Sequence, residues 1–398
     1  MTDDPFFKLD GESEWNAFIG RQGSFANYAD GYIEAALDLA TMMLSNRSYI
    51  QRDTLVLPIL YNARHSIELH LKLIIGALVK VGILTVGHAT NHDIASHFQH
   101  LIKSEVADSA FRTLLSDLQP FIDSLARVDD DGQELRYYTN RTGGRSLDDR
   151  SLVNIGVIRN SLVMLKKTLD HLKYRTEELC EEFPTGTHTK HLSRRDLFEI
   201  AAMLPKREKW SEPEFDECKA AIKTQFEIGS AEFSTALQKM QETRQLKAIL
   251  GIQTTLVHLS DEKAIFLAKQ WQLIHPPREA DDGIGLNYFK RNFRSLLKNR
   301  EHEMRALDEI LATISVDELA DAETVFYLSR NRHFSEFYEE DLAEKKKEFH
   351  ASSDFRMEIR DLMHKTNFLT ELTSGVEKLG RLELAQALKL SNYPRASA

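Results

Sequence analysis

Apolar residues recur at intervals of three and four along almost the whole chain, and the strict alternation of a half-buried strand is nearly absent. That periodicity admits amphipathic helices and little else. The punctuation agrees, because 398 residues hold only 18 Gly and 9 Pro, too few turn formers for a many-stranded sandwich. The expected fold class is all-α. At roughly 150 residues per domain, the length predicts two or three domains with at least one sizeable core.

Charge and cysteine content narrow the function classes. A formal net charge of -10 gives the molecule no global field for a polyanion, so any nucleic-acid contact must use local basic patches. Cys180 and Cys218 stand alone, without a CxxC pair or a nearby histidine at zinc-ligand spacing, which excludes a zinc ribbon and predicts a reducing compartment. The acidic opening Met-Thr-Asp-Asp-Pro-Phe-Phe lacks the basic, then apolar, pattern of an export signal. The most apolar run, Leu69 to Val86, is interrupted by His70, Lys72, Lys80 and two glycines, too polar for a spanning helix. The expectation is a cytoplasmic protein with no membrane partner.

Helical spacing predicts elements over 26–44, 55–81, 92–104, 109–126 and 148–182. Pro58 fits the first turn of the second, and Gly82 fits its end. The acidic turn Asp129-Asp130-Asp131-Gly132 and an irregular stretch from Leu135 to Gly144 interrupt the series before the long fifth helix. Phe183-Pro184-Thr185-Gly186-Thr187 reads as a linker, so one domain is expected over 1–183 and another over 188–398. In the second, helices are expected at 193–204, 215–225, 230–250, 260–274, 286–311, 316–328 and 336–380, with Ser230 and Ser260 as capping serines and His275-Pro276-Pro277 as a stop.

The second helix reads Tyr61-Asn-Ala-Arg64-His65-Ser-Ile-Glu68-Leu-His70-Leu-Lys72, and Asn91-His92-Asp93-Ile94 opens the third; Arg136-Tyr137 precedes the last. Over about residues 24–182 this pattern resembles HEPN domains. The resemblance implies a four- to five-helix bundle, frequently dimeric, of the kind found in bacterial toxins and antiphage systems. Many members are metal-independent endoribonucleases acting on RNA, tRNA included, without a cofactor, and others are inactive scaffolds. Active members carry an Arg followed, after four to six residues, by a His.

Arg64 and His70, with five residues between them, satisfy that spacing. RNA can be cut by attack of its own 2'-hydroxyl, and that chemistry wants a histidine as general acid or base and an arginine to hold the charge on the phosphoryl oxygens. His65 and Glu68 are then the positioning residues. Active members usually place the motif late in the bundle, where this chain has Arg159-Asn160-Ser161-Leu162-Val163-Met164, with a methionine standing for the histidine. On an ideal helix Arg64 and His70 point about 120° apart, so the catalytic reading needs a shared groove or a dimer seam. The bland reading is an ion-pair ladder, because Arg64, Glu68 and Lys72 are successive i, i+4 neighbours in the favourable order.

Nine basic residues against three acidic ones lie between Arg136 and Arg175, a local excess in an acidic chain. Arg159 and Asn160 are candidate phosphate contacts. Arg141 and Arg145, beside Tyr137-Tyr138, are candidates for holding an unpaired base. In the second half, Lys290, Arg291 and Arg294 are interleaved with aromatics on one amphipathic stretch, readable as an RNA or protein-partner surface. His88, His92, His97 and His100 cluster without HExxH spacing or cysteine support, and no metal site is expected. Two functional readings follow: a homodimeric metal-independent endoribonuclease of a toxin or antiphage system, with a C-terminal domain that regulates or binds a partner, or a non-catalytic HEPN-like module that binds a partner protein or nucleotide.

Overall fold

A computed structural model describes residues 6–7, 13–18, 25–139, 143–147, 152–276 and 293–391, with the side chains of 293–299 and 391 outside the description. Among these residues the chain is all-α. It carries sixteen α-helices and no strand, only an isolated bridge between Thr139 and Arg145. It divides into two compact units, Met1–Pro184 and Thr185–Ala398.

The first unit holds α1 (Phe25–Ser45), α2 (Arg52–Lys80), α3 (Ile94–Lys103), α4 (Ser109–Ala126) and α5 (Ile155–Glu182). Helix α1 buries Ala29, Ile33, Ala36, Ala40 and Met43, the stripe its spacing sets, against α2. Helix α2 spans about 43 Å at 1.5 Å per residue and buries Ile59, Ala63, Ile67, Leu71, Ile74 and Leu78 at the centre of the unit. Helix α5 packs against α1, α2 and α4, and α3 bridges α2 and α4.

Capping follows the acid and amide side chains. Asp93, Asp108 and Asn154 accept the Ser96, Phe111 and Val157 amides at 2.9, 2.6 and 3.1 Å, opening α3, α4 and α5. Helix α2 ends as expected at Gly82, whose φ of 86° lets its amide reach the Val79 carbonyl while Ile83 reaches Leu78. Its start is a correction: Thr54 and Leu55 donate to the Gln51 carbonyl, adding a turn before Pro58, which therefore lies inside the helix. The missing Pro58 donor leaves the carbonyl of exposed Thr54 to solvent. Helix α5 likewise starts at Ile155, because the Asn154 cap sets the boundary.

The second unit contains two hydrophobic cores. Helices α6 (Arg194–Met203), α7 (Pro213–Gln225), α8 (Ser230–Glu242) and α9 (Arg244–Ile249) enclose Leu197, Ile200, Ile222, Phe233 and Met240. Helices α10 (Asp261–Ile274), α11 (Phe293–Thr313), α12 (Val316–Arg330), α13 (Tyr338–Ala351), α14 (Phe355–Met363), α15 (Phe368–Lys378) and α16 (Leu382–Ser391) build the larger core around Leu267, Ile310, Phe326, Leu362, Phe368 and Leu372. Arg194 joins them, stacked between the rings of Phe198 and Phe334 at 4.4 and 4.5 Å and paired with Glu336 at 2.7 Å.

Two long helices expected from periodicity are broken. The stretch 230–250 divides at extended Thr243, and Gly229 caps α8, with Ser230 already its first residue. The stretch 336–380 divides into α13, α14 and α15, because Ser352 turns extended and Asp354 recaps the chain through the Met357 amide at 3.0 Å. Ser260 caps α10 as expected, and α10 stops at Ile274 before His275-Pro276.

Candidate functional site

The motif residues of α2 point into the protein. Arg64 is 0 % exposed, and its donors are engaged: Nε donates to the Asp129 carbonyl at 2.8 Å, Nη1 to Glu68 at 3.2 Å, and Nη2 to the carbonyls of His92 and Asp130. One guanidinium thus ties α2 to the start of α3 and to the acidic turn after α4. Glu68 completes the cluster, accepting from Lys72 at 2.6 Å and lying 2.9 Å from His92 Nδ1. Burial alone would raise its carboxyl, but hydrogen bonds from His65, Lys72 and His92 hold it far below the usual carboxylate range. The ion-pair ladder is formed, with a histidine and three loop carbonyls added to it.

His70 is also 0 % exposed and faces a different side of the helix, toward α1. Its Nε2 lies 3.2 Å from Asp30, and its Nδ1 lies 2.9 Å from the Ser66 carbonyl and 3.2 Å from the Ser66 hydroxyl, which itself donates to the Ala29 carbonyl. Lys173 of α5 donates to Asp30 at 2.7 Å, so three helices meet at one carboxylate. Burial lowers the His70 pKa against the opposing pull of the Ser66 carbonyl and Asp30. The structure does not bring Arg64 and His70 together. His65 lies 3.9 Å from the Glu68 carboxylate that Arg64 also reaches, half-buried between Tyr32, edge-on at 4.4 Å, and Tyr61, parallel at 5.7 Å.

The remaining candidates are dispersed. Arg159 lies on the first turns of α5 and donates to exposed Asn160 at 3.3 Å, and Met164 is exposed one turn further on. Arg145 stacks over the exposed Tyr138 ring at 5.8 Å. Arg141, Lys290 and Arg291 lie outside the described residues, as does the side chain of Arg294 in α11. His88 packs against the rings of His97 and His100 at 4.3 and 5.2 Å, while His92 turns away to Glu68. Among the described residues no group of three or more His, Cys, Asp or Glu side chains is placed to hold a metal ion.

Several partners of the motif had no signal in the sequence. The Asp129, Asp130 and His92 carbonyls that receive Arg64 are backbone atoms, silent in any residue pattern. Asp30 and Lys173 are separated by 143 positions, and only the packing of α1 on α5 pairs them. A recess of about 330 Å³ between α1 and α2, lined by Asn27, Tyr28, Gly31, Tyr32, Ala35 and Asn62, was equally unmarked. No protein-family model, no curated protein and no solved structure matches the chain.

Proposed function

We propose that the chain is a non-catalytic, HEPN-like helical interaction module that pairs with a second copy of itself, in preference to a metal-independent endoribonuclease of a toxin or antiphage system. One observation carries this reading: both side chains that RNA cleavage would require are fully buried and hydrogen-bonded within the fold. A general acid or base must come within hydrogen-bond reach of the 2'-hydroxyl or leaving oxygen, and a stabilising arginine must aim donors at the phosphoryl oxygens. His70 is enclosed by Ser66 and Asp30, and Arg64 aims its donors at carbonyls. Met164, where active members carry histidine, offers no proton to transfer.

The exposed face of α5 supports the second copy as partner. Val157, Met164 and Tyr174 expose apolar surface along it, with Lys167 in its N-terminal half and Glu177, Glu178 and Glu181 in its C-terminal half. Antiparallel pairing of two such helices about the level of residue 169 sets Met164 opposite Tyr174. That is the self-complementarity a two-fold contact requires.

The test is incubation of the purified chain with total RNA and tRNA in EDTA, alongside Arg64→Ala and His70→Ala variants checked by circular dichroism, with sedimentation of wild type and Met164→Glu. The expected result is intact RNA throughout, a wild-type dimer and a Met164→Glu monomer. Cleavage leaving 2',3'-cyclic phosphate ends, lost in folded forms of both variants, would reverse the reading in favour of the ribonuclease.

A further inference from the structure

We propose that His88, His97 and His100 bind one divalent ion of the zinc class, which fastens the connection between α2 and α3 onto α3. The site goes beyond the reading of the chain as an interaction module and does not rest on it.

The helix places two of the three rings. His97 and His100 lie three residues apart on α3 and therefore share a face. His88, in the irregular stretch between α2 and α3, lies against both, its ring centroid 4.3 Å from that of His97 and 5.2 Å from that of His100. His92 of the same stretch turns to Glu68 and takes no part.

The backbone then fixes which nitrogens are available. A carbonyl oxygen only accepts, so a ring nitrogen bonded to one carries the hydrogen. His88 Nδ1 donates to the Ala89 carbonyl at 3.0 Å, His97 Nε2 to the Asn91 carbonyl at 3.1 Å and His100 Nε2 to the Val86 carbonyl at 3.1 Å. In the neutral rings His88 Nε2, His97 Nδ1 and His100 Nδ1 are left as lone pairs. An imidazole whose other N–H is held by a backbone carbonyl is the arrangement that orients a metal-binding histidine.

His97 supplies the independent observation. It is 1 % exposed, and its Nδ1 has no hydrogen-bond partner. A buried acceptor left unpaired is costly, and packing gives no reason for it, because a phenylalanine ring would fill the same place without the lone pair.

Three neutral nitrogens with no carboxylate or thiolate suit Zn2+, Cu2+ or Ni2+ and not the oxygen-seeking Mg2+ or Ca2+. As the chain stands the rings are not converged on an ion, and His88 Nε2 accepts from the Ser96 hydroxyl at 2.8 Å. Binding exchanges that bond for the ion by turning the one ring of the three that is carried outside a helix. The carbonyls of Val86, Ala89 and Asn91 belong to the same connection, and His92 within it gives its carbonyl to Arg64. An ion on the three rings therefore braces the stretch that Arg64 also holds.

The experiment uses the full chain, stripped with EDTA and dialysed, with Co2+ as the spectroscopic probe and Zn2+ as its competitor. Expected are one ion per chain, a visible ligand-field band of four-coordinate Co2+ that Zn2+ abolishes, and an unfolding midpoint raised by Zn2+. His88→Ala and His100→Ala, both outside the core, should each lower Zn2+ affinity at least tenfold and remove the band, while His92→Ala keeps both. His97→Phe should fold, by circular dichroism, and lose the response of its midpoint to Zn2+. Absence of a band and of a midpoint shift up to millimolar metal overturns the proposal. So does binding unchanged in His88→Ala and His100→Ala, or weakened as much by His92→Ala, since the ion would then sit elsewhere or on surface histidines at large. The RNA test of the module is run in EDTA, so cleavage there would overturn that reading and leave this one standing.

Discussion

Each unit fastens a loop to a helix with one fully buried charged group, and the two groups have opposite sign. In the first unit Arg64 gathers the carbonyls of His92, Asp129 and Asp130. In the second Asp321 of α12 gathers the His258 and Leu259 amides at 2.7 and 2.8 Å and the Tyr338 hydroxyl at 2.6 Å. A cation serves where the loop offers oxygens, an anion where it offers N–H groups. The difference lies in how the charge is balanced. Arg64 sits in a cluster with Glu68, Lys72 and His92, whereas Asp321 depends on neutral donors. A buried arginine is therefore no mark of a phosphate site when loop carbonyls already fill its donors.

Removing the cation should give the largest effect. Arg64→Ala leaves three carbonyls without their donor and the buried Glu68 carboxylate with Lys72 and the histidines alone, and loss of one partner from such a cluster costs about 3–5 kcal/mol. Denaturant unfolding of Arg64→Ala should show that loss, and hydrogen exchange should rise at 129–132 with no change at 257–259. Asp321→Ala is the mirror experiment. It orphans two amides and a hydroxyl, costing about 2–4 kcal/mol, with exchange rising at 257–259 alone. Equal exchange changes in both loops in either variant would sink the view that the staples act separately.

These two staples also show what the sequence discloses. Arg64 was visible because its partners Glu68 and Lys72 repeat at four-residue spacing on one helix, and the same pattern carried the expectation of catalysis. Whether a charge in such a ladder faces solvent or a loop is decided by tertiary packing, which spacing does not encode. Asp321 was invisible, because its acceptor role is satisfied by backbone amides and by a tyrosine 17 residues away. Helix existence was legible nearly everywhere for the opposite reason, since burial stripes are a local property. Boundaries failed where one side chain recaps the chain, as at Asn154 and Asp354.

A smaller effect in the first unit runs with pH. His70 and His97 both titrate below the ordinary histidine value of 6.5, first because burial opposes their charge. Their unfolded forms bind protons more readily, so the stability they contribute is complete above pH 6.5 and declines as the pH falls below it. Hydrogen exchange in α2 and α3 should therefore register a loss of protection between pH 7 and 5. A His70→Gln/His97→Gln double variant should flatten that slope. An unchanged slope would assign it to other groups.

The smallest effect has the opposite sign. Gly375 of α15 has no room for a methyl, because a Cβ there would fall 2.1 Å from the Val325 carbonyl oxygen, so α12 and α15 are in contact through their backbones. Gly31 of α1 has no such neighbour. Replacing it by alanine keeps the helical backbone, reduces the freedom of the unfolded chain and should stabilise the first unit by about 0.5–1 kcal/mol. A raised midpoint for Gly31→Ala in denaturant, with the slope unchanged, is the expected reading. A lowered midpoint would mean that the backbone at Gly31 already has a close partner in the free protein.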